Sequence, residues 1–265
     1  MIFTGVLKKM IVENMNPIRY YLNLNEDFVD MNQMIGKHFS FKHIGNQCKS
    51  CGLNKPIFRM GFCKNCFFTS PQANPNILKP ELSTAHLGIE QRDLEWEKNF
   101  ELQPHIVYLA ISGGLKVGVT RGVQVPTRWI DQGANYSIVF AKTDNRFEAG
   151  QIEVFLKNHL ADKTNWRKML KGENPDINLI EEKEKAKNLL PEDLLKFYCE
   201  DNKIWEFTYP LEKNPEKIKS VKFDASSEEV SGVLSGIKGQ YLIFEDDTVF
   251  NVRAQEGKVV SLNIQ

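Results

Sequence analysis

Two short runs, "CKSC" and "CKNC", constrain this chain more than any other part of its sequence. They set Cys48 and Cys51 eleven residues ahead of Cys63 and Cys66, a C-x2-C, C-x2-C pattern that brings four sulfurs to one point on a small fold. Four thiolates suit a tetrahedral metal, and a closed four-sulfur shell leaves no open position for a substrate. The spacing therefore predicts a structural zinc ribbon at 48–69, with an iron–sulfur centre or a redox pair as the other chemistries open to four cysteines. Lys49 and Lys64 lie inside the two knuckles, where positive charge favours thiolate. Cys199 stands alone beside Tyr198 and reads as a packed side chain.

Cysteines paired at such short range differ from the spread framework of secreted disulfide proteins. The start, "MIFTGVLKKMIVEN", has too short an apolar stretch for a signal peptide, and no later stretch approaches a membrane span. The expectation is a cytoplasmic protein.

Charge is balanced overall, 34 basic against 34 acidic side chains, so the chain lacks the global positive field of a strong non-specific nucleic-acid binder. The distribution is uneven. Residues 31–80 contain no aspartate or glutamate but hold Lys37, Lys42, Lys49, Lys55, Arg59, Lys64 and Lys79, whereas 173–201 carries nine acids. A basic front with Phe58, Phe62, Phe67 and Phe68 favours contact with DNA or RNA, while stapling a small fold is the plainer role. The acidic stretch leaves open a protein-interaction scaffold, with no protein partner specified.

Patterning predicts an α+β chain. Strands fill 1–47; the ribbon follows at 48–69; a Pro- and Asn-rich extended linker and a charged helix occupy 70–104. A small α/β module spans 105–171: "HIVYLAIS" and "LKVGVT" pair across Gly113 and Gly114, then come a short helix from about Thr127, the strand "YSIVFAKT" and a helix from Asn145 to about Leu160. Glu148 completes a capping box with Asn145. An acidic helical segment covers 172–204, and 205–265 reads as a β-meander whose strands are free to share a sheet with 1–30.

Within the module, Tyr108 ends "IVY", "KVGVT" follows as the second strand, "TRW" holds Arg128, and "AGQIEVFL" holds Glu153. This order resembles the GIY-YIG nuclease superfamily over roughly residues 106–170. Two positions depart from that family: Lys116 stands where the second motif has tyrosine, and Ile106 where the first has glycine. The resemblance implies a phosphodiesterase site in which Tyr108 orients or acts as a general base, Arg128 offers its fork to phosphate oxygens, Lys116 orders water or contacts phosphate, and Glu153 holds magnesium. Arg121, Lys163 and Arg167 are then outlying phosphate contacts, and "DKTNWRKML" supplies Asn165 and Trp166 to a nucleic-acid rim, Trp166 stacking on a base. Each residue also has a structural role open to it: Tyr108 as core, Arg128 paired with Asp131, Glu153 paired with Lys157, and Trp166 beneath a helix capped by Thr164. An adaptor that binds nucleic acid without cutting it is the alternative.

Nearly the whole chain also resembles an uncharacterised bacterial family, domain of unknown function 2797, through the paired cysteines, "AHLG", "VPTRWIDQGA", "DKTNWRKML" and "GIKGQYLIF". That resemblance implies no activity.

Overall fold

The computed structural model describes residues 1–25, 27–159, 165–224 and 227–265. It is a mixed α+β structure dominated by sheets, divided into two compact units: Met1–Ala73 with Thr208–Gln265, and Asn74–Phe207. Among the described residues no helix is long and apolar enough to cross a membrane.

The first unit is built on a seven-stranded sheet in the order Ile2–Val6, Lys258–Ile264, His38–Asn46, Glu229–Lys238, Tyr241–Phe244, Thr248–Asn251, Lys219–Val221. The first and last strands of the chain pair antiparallel, Ile2 opposite Asn263 and Val6 opposite Val259. Alternation along these strands sends Phe39, Phe41, Leu234, Leu242, Phe244, Phe250 and Leu262 inward. A simple meander does not hold throughout 205–265. Lys219–Val221 pairs parallel with Thr248–Asn251 and carries no strong apolar alternation, so partner geometry rather than its own pattern sets its place. Ile204–Glu206, expected in the same meander, belongs to the sheet of the second unit.

That second sheet is antiparallel. We label its strands β1 (His105–Ile111), β2 (Leu115–Arg121), β3 (Tyr136–Thr143) and β4 (Ile204–Glu206), in the spatial order β4-β3-β1-β2. Every residue of β1, which lies between β3 and β2, is buried. One face, with Val107, Leu109, Val117, Ile138 and Phe140, packs against Ala149, Ile152 and Leu156 of the helix Arg146–Lys157. The other face receives Trp129 from the short helix Thr127–Asp131, its ring 5.6 Å from that of Tyr108. The long helix starts at Asn145, whose side chain accepts from the Glu148 backbone N–H at 3.0 Å. In the return bond of the box the N–H of Asp144, rather than that of Asn145 itself, donates to Glu148 Oε2 at 3.2 Å.

The Pro- and Asn-rich segment is not an extended linker. It forms successive 3-10 turns, Pro71–Ala73, Pro75–Ile77, Pro80–Leu82 and Ala85–Leu87. The cause lies on the charged helix Leu94–Glu101, whose Glu97 and Glu101 are both buried and need donors. Glu97 accepts from the Arg92 and Gln91 backbone N–H groups at 2.8 and 3.0 Å, and from Asn74 at 3.3 Å; Glu101 accepts from the Asn76 amide and from the Ala85 N–H. A helix that reads as solvated from its charges thus folds the preceding segment onto itself.

Candidate functional sites: a four-cysteine centre and a cationic cleft

In the ribbon, the hairpin of Ile57–Arg59 and Phe62–Cys63 leads into the helix Lys64–Thr69, with Cys63 at its cap. Cys48 and Cys51 lie on the loop after His38–Asn46. The four Sγ atoms fall within 4.8 Å of one another. Thiolates held about 2.3 Å from one Zn2+ stand about 3.8 Å apart, so the cluster has the size of a structural zinc site. Its electrostatics fit as well. Burial disfavours the Cys48 thiolate, but hydrogen bonds from the Cys51, Cys63 and Ser50 backbone outweigh it and bring the thiol down to about 6. Burial and the neighbouring thiols push Cys66 up to about 12. Four sulfurs this close cannot all ionise without a cation among them.

In the second unit, β pairing sets the first half of a cleft. Tyr108 lies opposite Gly118, and Ala110 opposite Lys116, so the Tyr108 and Lys116 side chains leave the same face of the sheet as diagonal neighbours. The Tyr108 hydroxyl passes over Gly118, where a Cβ would come within 2.6 Å of it. Glycine is therefore required for the phenol to reach the edge of the sheet. There the Tyr108 hydroxyl donates to Gln132 Oε1 at 2.8 Å, and Lys116 Nζ donates to the same oxygen. The short helix that ends before Gln132 also carries Arg128.

Helical spacing sets the second half. Arg146, Gly150, Glu153 and Lys157 follow one another at four, three and four residues, a single stripe on the long helix. Gly150 sits so close to the Pro80–Leu82 turn that a Cβ would lie 2.3 Å from the Glu81 nitrogen. Arg146 donates through Nε and Nη2 to the Asn76 carbonyl at 3.1 and 3.0 Å, and through Nη2 to that of Ile77 at 2.8 Å. The refolded segment thus becomes the far wall of the cleft.

The result is a cavity of about 200 Å³ lined by Tyr108, Lys116, Arg128, Gln132, Arg146, Glu153 and Lys157, with Ile77, Leu78, Pro80, Val117, Gly118 and Val119. Four cationic side chains face one carboxylate. Burial, reinforced by Arg128, draws the Lys116 amine down to about 7, while Glu153 acts the other way. Burial raises Glu153 above the carboxylate range, opposed by Lys157, whose Nζ is 3.5 Å from Oε2, and by Arg146. Burial also raises the Tyr108 phenol, against the pull of Arg128. An arrangement with surplus fixed positive charge around a recess can neutralise an anion of phosphate size.

All four residues expected from the resemblance, Tyr108, Lys116, Arg128 and Glu153, line this one cleft. Arg121, Asn165, Trp166 and Arg167, expected as further nucleic-acid contacts, do not line it. Arg121 packs its guanidinium over Phe100 at 4.7 Å. Arg167 covers the Trp166 ring at 4.1 Å, and Asn165 caps the helix Trp166–Leu170 by accepting from the Lys168 N–H. Asn165 thus holds the capping role expected of Thr164; Thr164, Lys163 and Leu160 lie outside the described residues. Arg146 and Gln132 were not expected. The seven-residue spacing from Arg146 to Glu153 was visible in the sequence; nothing local marked Gln132, which gains its role from the sheet edge it faces.

No curated protein and no solved structure matches the chain. Residues 36–260, most of its length, match the family described as "Protein of unknown function (DUF2797)", and the chain belongs to that family.

Proposed function

We propose that this protein is a zinc-ribbon nucleic-acid-binding protein of the reducing cytoplasm whose GIY-YIG-like cleft cuts phosphodiesters with magnesium. The observation that carries this reading is the convergence of Tyr108, Lys116, Arg128 and Glu153, from two strands and two helices, on one small cationic recess. Structural zinc on Cys48, Cys51, Cys63 and Cys66 is the companion element.

In the cleft, Arg128 and Arg146 bind the non-bridging phosphate oxygens, and charge developing on them in the transition state meets fixed guanidinium groups. Tyr108 and Lys116, tied to one Gln132 oxygen, orient the attacking water. Lys116 also offers a proton acceptor near neutral pH. Water adds to phosphorus, the P–O ester bond breaks, and the departing alkoxide takes a proton. Glu153 is the one carboxylate of the lining, and a single carboxylate with water and phosphate oxygens suffices for magnesium, which would supply further charge neutralisation there. The Lys157 ion pair must open for that binding. This pair favours a second reading, an adaptor in which Lys157 keeps Glu153 occupied and the cleft grips phosphate without cutting.

Incubating zinc-loaded protein with end-labelled single-stranded, duplex and branched DNA and RNA, with and without magnesium, beside Glu153→Ala, separates the two. Magnesium-dependent cutting lost in the variant is the expected result. Equal binding by both proteins with no cutting leaves the adaptor.

A further inference from the structure

The ribbon holds two kinds of phenylalanine. Phe62 is fully buried with Cys48, Cys63, Cys66 and Ala73, so the metal centre already has its apolar filling. Phe58, Phe67 and Phe68 form a second group, in which Phe67 is half-buried against the first and carries the other two outside it. Their ring centroids lie 5.2 Å (Phe58–Phe67), 5.9 Å (Phe58–Phe68) and 5.3 Å (Phe67–Phe68) apart. Phe58 and Phe68 are nevertheless 44% and 57% exposed. A single exposed phenylalanine is ordinary, but two exposed rings held against a third that anchors them to the core form a surface.

Charge identifies the partner. Arg59 lies 5.4 Å over the Phe58 ring, and Lys55, Arg59 and Lys64 are exposed on the same small fold. No acid occurs in residues 31–80, and Glu256, which lies against the hairpin at Gly61, pairs with Lys49 at 3.4 Å. Flat apolar rings beside exposed Lys55, Arg59 and Lys64 complement a ligand of flat π faces joined by regularly spaced anions. In a duplex those faces are stacked on neighbouring pairs and out of reach. In an unpaired strand they are free.

We propose that Phe58, Phe67 and Phe68 form a stacking platform for the unpaired bases of single-stranded DNA or RNA, with Arg59 and Lys64 on the adjoining phosphates. The platform deepens the nucleic-acid reading above and rests on it for the class of ligand, while using no residue of the cleft.

The test is fluorescence anisotropy of labelled oligothymidylate and oligouridylate, each alone and annealed to its complement, with full-length zinc-loaded protein. The proteins compared are wild type, Phe58→Ala, Phe68→Ala, the double variant, Phe58→Trp and Phe28→Ala, each with its zinc content measured. Single strands should bind more tightly than duplexes; each platform alanine should weaken binding roughly tenfold; Phe58→Trp and Phe28→Ala, the latter an exposed ring outside both sites, should bind as wild type does. A double variant with full zinc and unchanged affinity overturns the platform, as does equal affinity for duplex. Unchanged oligonucleotide binding with altered self-association by light scattering makes the patch a protein contact and also overturns it. Ring-dependent binding without any cutting by wild type keeps the platform and removes the nuclease reading, so the two fail separately.

Discussion

The ribbon and the cleft gather their chemistry in opposite ways. In the ribbon, every sulfur comes from the stretch 48–66, and the hairpin and helix between them do little more than turn the chain. In the cleft, the polar side chains come from two strands and two helices, and a wall comes from a segment beginning near Ile77. The ribbon brings together four sulfurs of a size and chemistry suited to a metal ion, while the cleft is held by its own hydrogen bonds, Gln132 to Tyr108 and Lys116, and Arg146 to Asn76 and Ile77. A site of local spacing can be read from sequence; a site assembled by pairing and packing is read only in the part that pairing and helical period predict.

The contrast is broken most severely by removing metal. Chelation, or Cys63→Ser with Cys66→Ser, should unfold the ribbon, because structural zinc contributes on the order of 10 kcal/mol to folds of this kind. Hydrogen exchange should then report lost protection over 48–69 and retained protection in Asn74–Phe207. Loss in both would mean that the cleft also depends on the metal.

Gly150→Ala strikes the cleft alone. Its new methyl meets backbone at Glu81 and Pro80, which cannot rotate away, so a cost of about 3 kcal/mol in urea unfolding is expected, with zinc content unchanged. A cost under about 0.5 kcal/mol would show that the wall yields easily.

Acid sharpens the same comparison. His105 is fully buried, its Nδ1 bonded to the Gln103 carbonyl at 2.7 Å, and burial holds it down to about 4 from 6.5. The unfolded chain binds the proton first, so this contribution is complete above pH 6.5 and is lost as pH falls through 4, by about 3 kcal/mol. Glu101 and Glu153, held above the carboxylate range, work in the opposite sense. The readout is therefore the difference between wild type and His105→Gln, which should have the shallower fall in stability with acid. Equal slopes would contradict the neutral buried ring.

The smallest effect belongs to a cap. Asn145→Ala removes the acceptor for the Glu148 N–H and should cost about 1 kcal/mol by thermal unfolding, without altering metal binding.

These elements also mark what the sequence disclosed. Alternation located Tyr136–Thr143, Gly113 and Gly114 located the hairpin, and Asn145 located the start of the long helix, because each signal is local. The Pro- and Asn-rich composition reads as extended, since the demand that folds the turns, for the N–H groups of Asn74, Asn76 and Ala85, comes from Glu97 and Glu101, about twenty residues later. Strand Ile204–Glu206 was assigned to the wrong sheet because three residues carry no register of their own. The resemblance singles out Arg128 and makes Arg121 and Arg167 outlying contacts, and it does not mark Arg146; the fold lays Arg121 and Arg167 over Phe100 and Trp166, outside the cleft lining, and brings Arg128 and Arg146 into that lining.

That division supplies the most direct test of the proposed activity. Single-turnover cleavage of a labelled substrate, with magnesium, should fall at least a hundredfold in Arg128→Gln, the scale of losing one charge-stabilising donor. Arg121→Gln and Arg167→Gln should cut within a few-fold of wild type. Equal loss in all three, or none in Arg128→Gln, would contradict the cleft as the seat of the chemistry.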